Sequence, residues 1–392
     1  MTADPGAAVT RLIALRDTLE TGAFLEAQFD LGLAWPHFRP GCGGLGLEIE
    51  EARAARQQLE DVGVPQSPAS FVGRYQASAV LHEAGTQAQR EQYLRRIFTG
   101  ADQWCQLFSE PGAGSDLANV ATQAVRVDGG WRIDGQKVWT SNARHANVGL
   151  LLARTDPSLP KHRGMTLFII DMQAQGVDVR PLRQADGGAR FSEVFLDDVR
   201  IDDDRRLGPE GAGWVLSMNT LSAERAGASD VFSVPPDSLI NWWREVGDLR
   251  EPSLRDAVVA VWIEAALLEV SHARQRQTSD PGEQKRLASI AKIAASEHLQ
   301  RMSSILAEVI GPDALVSADY DAALAEDLEP DSVKAKDFSK LSPHRLVIRS
   351  RAMSIEGGTN QIARNIVGER VLGLPSDIRV DKDRPWKEIA HS

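Results

Sequence analysis

Three segments carry residues of the kind and spacing that do chemistry. The first, QLFSEPGAGSD at 106–116, reads as a strand ending in a glycine-rich turn. Successive backbone N–H groups in such a turn form a nest for anionic oxygen. Ser109 and Ser115 add hydroxyl donors. No Gly-Lys-Ser/Thr follows, and Gly112 and Gly114 lack the third glycine and the helix of a dinucleotide fingerprint. An ordinary Pro-Gly hairpin has the same look. The second segment, GQKVWTSN at 135–142, sets Trp139 beside two hydroxyls and an amide. Such an indole is either β-domain core or a ring packed on a planar ligand, with Ser141 donating to the ligand's polar edge. The third, IEGGTNQIARNIVGERVLGLP at 355–375, opens an amphipathic helix after a glycine pair, with Ile362, Ile366 and Val367 on one face. Thr359 is its expected N-cap.

The elements that must position these residues change texture twice along the chain. Up to about residue 100 the reading is helical. EIEEARAARQQLED at 48–61 is rich in strong helix formers, and a second helix over 87–98 stops at Thr99-Gly100. HFRPGCGGLG at 37–46 is a loop whose glycines suit irregular backbone. From about 104 the period becomes two. Val125 and Val127 alternate with Arg126 and Asp128, and a turn at Gly129-Gly130 follows. Asp134-Gly135 reads as a second turn, and MTLFII at 165–170 as a buried strand. Short strands are expected at 177–179 and 194–196. From about 213 the chain is helical again. The run 254–274 is apolar over most of its surface, which predicts burial between neighbours. A three-four stripe from Leu287 to Ile310 ends at Gly311-Pro312, and 317–337 reads as a loop or short surface helix. The expected domains are 1–103, helical; 104–210, β; and 211–392, helical.

Composition bounds the rest. The 392 residues hold 44 Lys and Arg against 55 Asp and Glu, a formal net charge of -11. An acidic chain with no basic run is a poor ligand for nucleic acid. No apolar run approaches the roughly 20 residues of a membrane helix, and the first residues show no secretory pattern. Two cysteines, Cys42 and Cys105, make neither a disulfide framework nor a metal cluster, and the histidines show no metal spacing. A soluble protein of a reducing cytoplasm is expected.

Together the three segments resemble the acyl-CoA dehydrogenase family. The first is similar to its flavin-and-substrate signature, the second to its Lys-x-Trp-x-Ser/Thr-Asn strand, and the third to its Gly-Thr-x-Gln-Ile helix start. CGGLG at 42–46 and LGPEGAGW at 207–214 add matches, so the resemblance runs in order from about Leu31 to Leu374. It implies a mostly α fold with a central β domain: an N-terminal helical domain, a middle antiparallel β-barrel and a C-terminal four-helix bundle. It implies FAD, an acyl-CoA or carrier-protein thioester as substrate, an electron-transferring flavoprotein as acceptor, and a homo-oligomer or a heteromer with a related subunit. The implied reaction removes an α proton with a glutamate while the β hydrogen leaves as hydride to flavin N5. By the same resemblance Gln106, Phe108, Ser109, Gly114 and Ser115 line the flavin and its pyrophosphate, Trp139 packs on its ring and Ser141 bonds its edge. Thr359 and Gln361 reach the cofactor from the C-terminal domain. Arg274 serves a neighbouring subunit's pyrophosphate, and Ser115 and Arg225 contact the substrate.

Two glutamates compete for the role of base. Many members place it directly before Gly-Thr. Here that position is Gly357, with Glu356 one residue earlier, an offset of about 100° on a helix. Other members place it before an arginine on a helix after the β domain, as in LSAER at 221–225, where Glu224 precedes Arg225. Glu224 is the favoured base. Two departures matter. Glu308 stands where the family has a glutamine that helps bind the adjacent subunit's flavin, and the Arg-x-x-Phe pattern is missing after Arg274. The alternatives are a non-catalytic or half-site subunit of a heteromeric dehydrogenase, and a related flavin oxidase or monooxygenase. Retention of Glu224 opposes the latter.

Overall fold

The computed structural model describes residues 4–221, 237–246, 252–278, 280–316, 320–321, 323–324, 343–378 and 381–389. The chain divides into two compact units, Met1–Pro181 with Phe191–Ala223 and Lys382–Ser392, and Leu182–Arg190 with Glu224–Asp381. The architecture is mostly α with a central β domain.

The first unit begins with helices whose ends follow local rules. Helix α1 (Pro5–Leu15) has proline at its start and an Asp4 side chain accepting from the Gly6 amide. Helix α2 (Thr21–Asp30) precedes the glycine loop, where a Cβ on Gly44 would lie 2.1 Å from the Phe38 carbonyl oxygen. Helix α3 (Ile49–Asp61) opens on a capping box of Glu48 and Glu51, and α5 (Gln87–Thr99) on one of Thr86 and Gln89. α5 closes on left-handed Gly100. Between them a π-helical run, Val72–Ala77, leads into α4 (Ser78–Ala84).

Eight strands follow: β1 (Trp104–Leu107), β2 (Gln123–Val127), β3 (Gly130–Ser141), β4 (Val148–Arg154), β5 (Met165–Asp171), β6 (Val177–Leu182), β7 (Phe191–Asp202) and β8 (Arg206–Leu207). Their order is β6-β7-β3-β2-β4-β5-β8, with β1 beside β4. Most pairs are antiparallel as expected, but β1 with β4 and β2 with β4 run parallel. Strand β4 is buried throughout. Leu150 and Leu152 enter a core shared with Leu81, Leu94, Ile97 and Trp104, while Leu151 and Ala153 enter one with Trp131, Phe168 and Ile170. Asp134-Gly135 is not a turn. β3 runs through it, and the extra residue lies on β7, where the register shifts and Asp198 is left-handed. A Cβ on Gly135 would meet the Thr122 side chain at 2.5 Å, so the glycine admits a neighbouring loop.

In the second unit, α6 (Asp237–Val246), α7 (Pro252–Gln277), α8 (Pro281–Ile310), α9 (Pro343–Ser350) and α10 (Asn360–Ile366) form the helical bundle. Its core includes Leu239, Trp243, Val258, Val261, Met302, Leu306 and Leu346. Asp280 caps α8 by accepting from the Gly282 and Glu283 amides. The expected burial of α7 on all sides is corrected. Val258, Val261 and Ala265 are buried, but Val259, Ile263, Leu267 and Val270 form an exposed apolar stripe, up to 67% accessible at Val270. Of the expected 317–337 loop, the described residues 320–321 and 323–324 are helical; the rest lies outside the described residues.

Candidate functional site

In the first unit, two of the three segments lie side by side. After β1 the chain leaves the sheet, and the Val138 amide donates to the Ser109 carbonyl at 2.9 Å, joining the end of β3 to the glycine loop. Gln106, Phe108, Ser109, Gly114, Ser115, Trp139 and Ser141 are thereby carried by β1, its following loop and the last residues of β3. Glu110 and Ala113 exchange backbone hydrogen bonds of 3.0 Å around Pro111-Gly112, the tight turn expected there. Neither Gly112 nor Gly114 takes a positive φ, so this loop is not an alternating left- and right-handed anion nest. Gly114 instead offers room, since a Cβ there would meet nothing within 4 Å.

Trp139 is not β-domain core. The register between β3 and β7 slips after Lys137, and the extra residue puts Trp139 at φ 60°. A bulky residue in the left-handed region is costly, by roughly 1–2 kcal/mol. The bulge turns the indole outward, 60% accessible, edge-on to Phe191 with centroids 5.9 Å apart. Strain of this kind is characteristic of ligand sites. Gln106 Nε2, on β1, is buried with no hydrogen-bond partner among the described residues. A buried donor without an acceptor is expensive. An exposed flat ring, an unsatisfied buried amide and an open glycine together fit a planar cofactor with an acceptor edge, as FAD has.

The sequence reading missed what holds this loop. Lys137 is wholly buried, and its Nζ donates to Glu110 Oε1 at 2.7 Å and to the carbonyls of Phe108 and Leu152 at 3.0 and 2.7 Å. Glu110 also accepts from the Ala121 and Thr122 amides at 2.6 and 2.9 Å. Burial opposes charge on Glu110, yet Lys137 and these amides outweigh it and hold the carboxyl below its usual range. Burial draws the Lys137 ammonium down, against the pull of Glu110. Arg154, 2% accessible, is lowered by burial to about 10 and so stays charged at neutral pH. The signal for the pair was a lone acid between Ser109 and Pro111 and a lone lysine two residues before Trp139.

In the second unit, Thr359 caps α10 as expected, its hydroxyl accepting from the Ile362 amide at 3.1 Å. Gln361 is exposed on the first turn. Buried Asn360 anchors that turn by accepting from Lys292 Nζ at 2.8 Å and Ser296 Oγ at 2.9 Å. Glu356 lies before left-handed Gly357 and Gly358, outside the helix, so the helical offset expected for it does not apply. Arg349 Nη2 donates to both its carboxylate oxygens, at 3.0 and 2.7 Å. Arg274 is exposed and pairs with Glu283 at 3.6 Å. Glu308 is exposed. Glu224 and Arg225 lie outside the described residues. Among the described residues no His, Cys, Asp or Glu group has metal-site geometry, and no helix is long and apolar enough to cross a membrane. Cys42 and Cys105 are both buried and free, and burial pushes the Cys105 thiol up to about 12.

Comparison with known proteins matches residues 13–101, 105–199 and 211–372 to the N-terminal, middle and C-terminal domains of acyl-CoA dehydrogenase, in that order. Over 350 residues the chain is 36% identical to acyl-CoA dehydrogenase FadE34 of Mycobacterium tuberculosis, covering 88% of this chain and 45% of that protein. It therefore spans less than half of that relative's length. Acyl-CoA dehydrogenase IpdE1 of the same organism is 32% identical over 351 residues, covering 88% of this chain and 85% of that one. Among solved structures, the ChsE4-ChsE5 complex from Mycobacterium tuberculosis matches with a TM-score of 0.68 and 25% identity, over 96% of this chain and 99% of that one.

Proposed function

The chain belongs to the acyl-CoA dehydrogenase family, and from that premise we propose that it catalyses FAD-dependent α,β-desaturation of an acyl-CoA thioester. The observation that carries the proposal is Trp139, held left-handed on a bulge and turned outward beside the glycine loop. FAD, when bound, supplies the acceptor for the β hydride. The chain supplies everything else. Trp139 would lie against the flavin ring with Ser141 at its edge, and Gln106 would give its unsatisfied amide to an acceptor of the cofactor. Phe108, Ser109, Gly114 and Ser115 would line the polar portion, and the family resemblance adds Thr359, Gln361 and Arg274 as further cofactor contacts. Ser115 and Arg225 would contact the thioester.

Glu224 is assigned as the base that removes the α proton. Glu356 is the weaker candidate because Arg349 donates to both its oxygens, and these bonds would have to open before the carboxylate could reach a substrate proton. Electrons then leave to an electron-transferring flavoprotein. The domains proposed are 1–103, 104–210 and 211–392, and the proposed compartment is the cytoplasm.

A second reading, a half-site or non-catalytic subunit of a heteromer, is favoured by Glu308, whose carboxylate would repel a neighbouring pyrophosphate. The exposed stripe on α7 supports assembly with another chain in either case, and ChsE4-ChsE5 is itself a complex of two differently named chains. The test is the visible spectrum of the purified protein before and after anaerobic addition of acyl-CoAs. Bleaching of a bound yellow flavin supports the dehydrogenase; a colourless protein that takes up no FAD supports the non-catalytic subunit.

A further inference from the structure

The loop 116–122 follows directly on Gly114 and Ser115 and makes no regular secondary structure beyond one 3-10 turn, Leu117–Asn119. Side chains from elsewhere hold it instead. Arg154, buried at the end of β4, donates from Nη2 to the Ala118 carbonyl at 2.7 Å and from Nε to the Val120 carbonyl at 3.0 Å. Its remaining arm donates to the Lys161 carbonyl at 3.2 Å, and Lys161 Nζ pairs with Asp116 at 3.0 Å.

The far face of that guanidinium is covered by a distant part of the chain. Trp386 lies over it, with Arg154 Cζ 4.4 Å from the ring centroid, and is only 9% accessible. Its indole Nε1 donates to Asn119 Oδ1 at 2.9 Å, in the loop itself. The backbone around it is docked as well. The Trp386 amide donates to the Leu159 carbonyl at 2.9 Å and the Lys387 amide to the Pro157 carbonyl at 3.0 Å, while Pro385 bridges to Pro160. An indole over a desolvated guanidinium is among the stronger cation–π arrangements.

We propose that the segment 382–389 is a positioning strap for the loop 116–122, Trp386 fixing it through Asn119 and through the guanidinium of Arg154, and so setting the placement of Gly114 and Ser115 for flavin and substrate. The proposal rests on the flavin reading of that loop. Trp386 is a positioning residue and touches neither substrate nor cofactor.

The test compares Trp386→Ala, Trp386→Phe, a chain shortened after Asp381, and Leu12→Ala, which lies in the separate core of α1, α2 and α3 with Phe24 and Leu59. Two quantities are read on apoprotein: FAD dissociation by flavin fluorescence, and amide hydrogen exchange of peptides spanning 114–122. Trp386→Ala and the shortened chain are expected to weaken FAD binding about tenfold and to speed exchange at 116–122. Trp386→Phe keeps an aromatic face over Arg154 but gives up the Nε1 bond and the larger indole surface, and is expected to stay within about fivefold of the parent. Leu12→Ala is expected to lower the thermal midpoint while leaving both readings close to the parent. The strap is overturned if Leu12→Ala weakens FAD as much as Trp386→Ala, or if Trp386→Ala leaves exchange at 116–122 unchanged. If the parent takes up no FAD, the flavin reading falls, and the exchange of 116–122 still decides the strap.

Discussion

Lys137 Nζ lies 2.7 Å from Glu110 Oε1 with the two side chains 0% and 6% accessible, and this contact ties strand β3 to the glycine loop beside the Val138–Ser109 backbone bond. Such a pair is asymmetric in its energetics. Removing one partner leaves a buried charge behind, while removing both removes the desolvation as well. Lys137→Met is therefore expected to cost about 3–5 kcal/mol. The double variant Lys137→Met with Glu110→Gln should recover part of that loss. Urea midpoints of the four proteins close the cycle, and simple additivity would show that the two side chains do not act together.

The same pair sets an acid limb. Glu110 is held below its usual range in the folded protein, so the folded state binds fewer protons there than the unfolded chain. Its contribution is fully present above the unfolded glutamate value of about 4.3 and is lost as pH falls through the lower folded value. Glu110→Gln should flatten the fall in thermal midpoint below about pH 4.3. An unchanged slope would assign the limb to other carboxylates.

Trp139 carries a backbone cost that the fold itself does not need. Trp139→Gly relieves the left-handed strain and is expected to leave the apoprotein as stable or up to about 1–2 kcal/mol more so. The same change should weaken FAD binding by about three- to tenfold through loss of the aromatic face. Calorimetry of apoprotein and a flavin titration separate the two effects. A less stable apoprotein with unaltered FAD affinity would make Trp139 a packing residue.

Much of the fold was legible because its signals are local. Thr359 before α10 and Thr99-Gly100 at the end of α5 are signals set by a few adjacent residues, and those helices begin and end where they stand; the capping boxes that open α3 and α5 are equally local. Trp139 and the glycine loop were legible as a motif. What escaped depends on residues distant in sequence. Asp134-Gly135 has the composition of a turn, but Thr122 packs against the glycine and the extra residue falls on β7, so β3 continues. The burial of Lys137 depends on Glu110, and that of Arg154 on Trp386, 232 positions away, so neither pattern announces itself along the chain. The α7 helix looked wholly buried because apolar spacing reports which faces avoid water, not which chain covers them.

The two glutamates give opposite expectations. Glu356 takes both bonds from Arg349, a side chain only 5% accessible, so its charge is committed to holding α9 against the turn before α10. Glu356→Gln should lower stability by about 1–3 kcal/mol, the usual result of weakening a charged hydrogen bond to a buried partner. It should keep the rate of flavin reduction within about tenfold of the parent, because a positioning group contributes less than a proton-transfer group. Glu224→Gln removes the proposed proton acceptor and should slow anaerobic flavin bleaching by about 10²–10⁴-fold, with FAD affinity unchanged. Single-turnover bleaching by one acyl-CoA, measured beside thermal midpoints, reads both variants at once. The reverse pattern would move the base to Glu356 and make its bond to Arg349 one that opens when substrate binds. Full activity in both variants would exclude a glutamate base altogether.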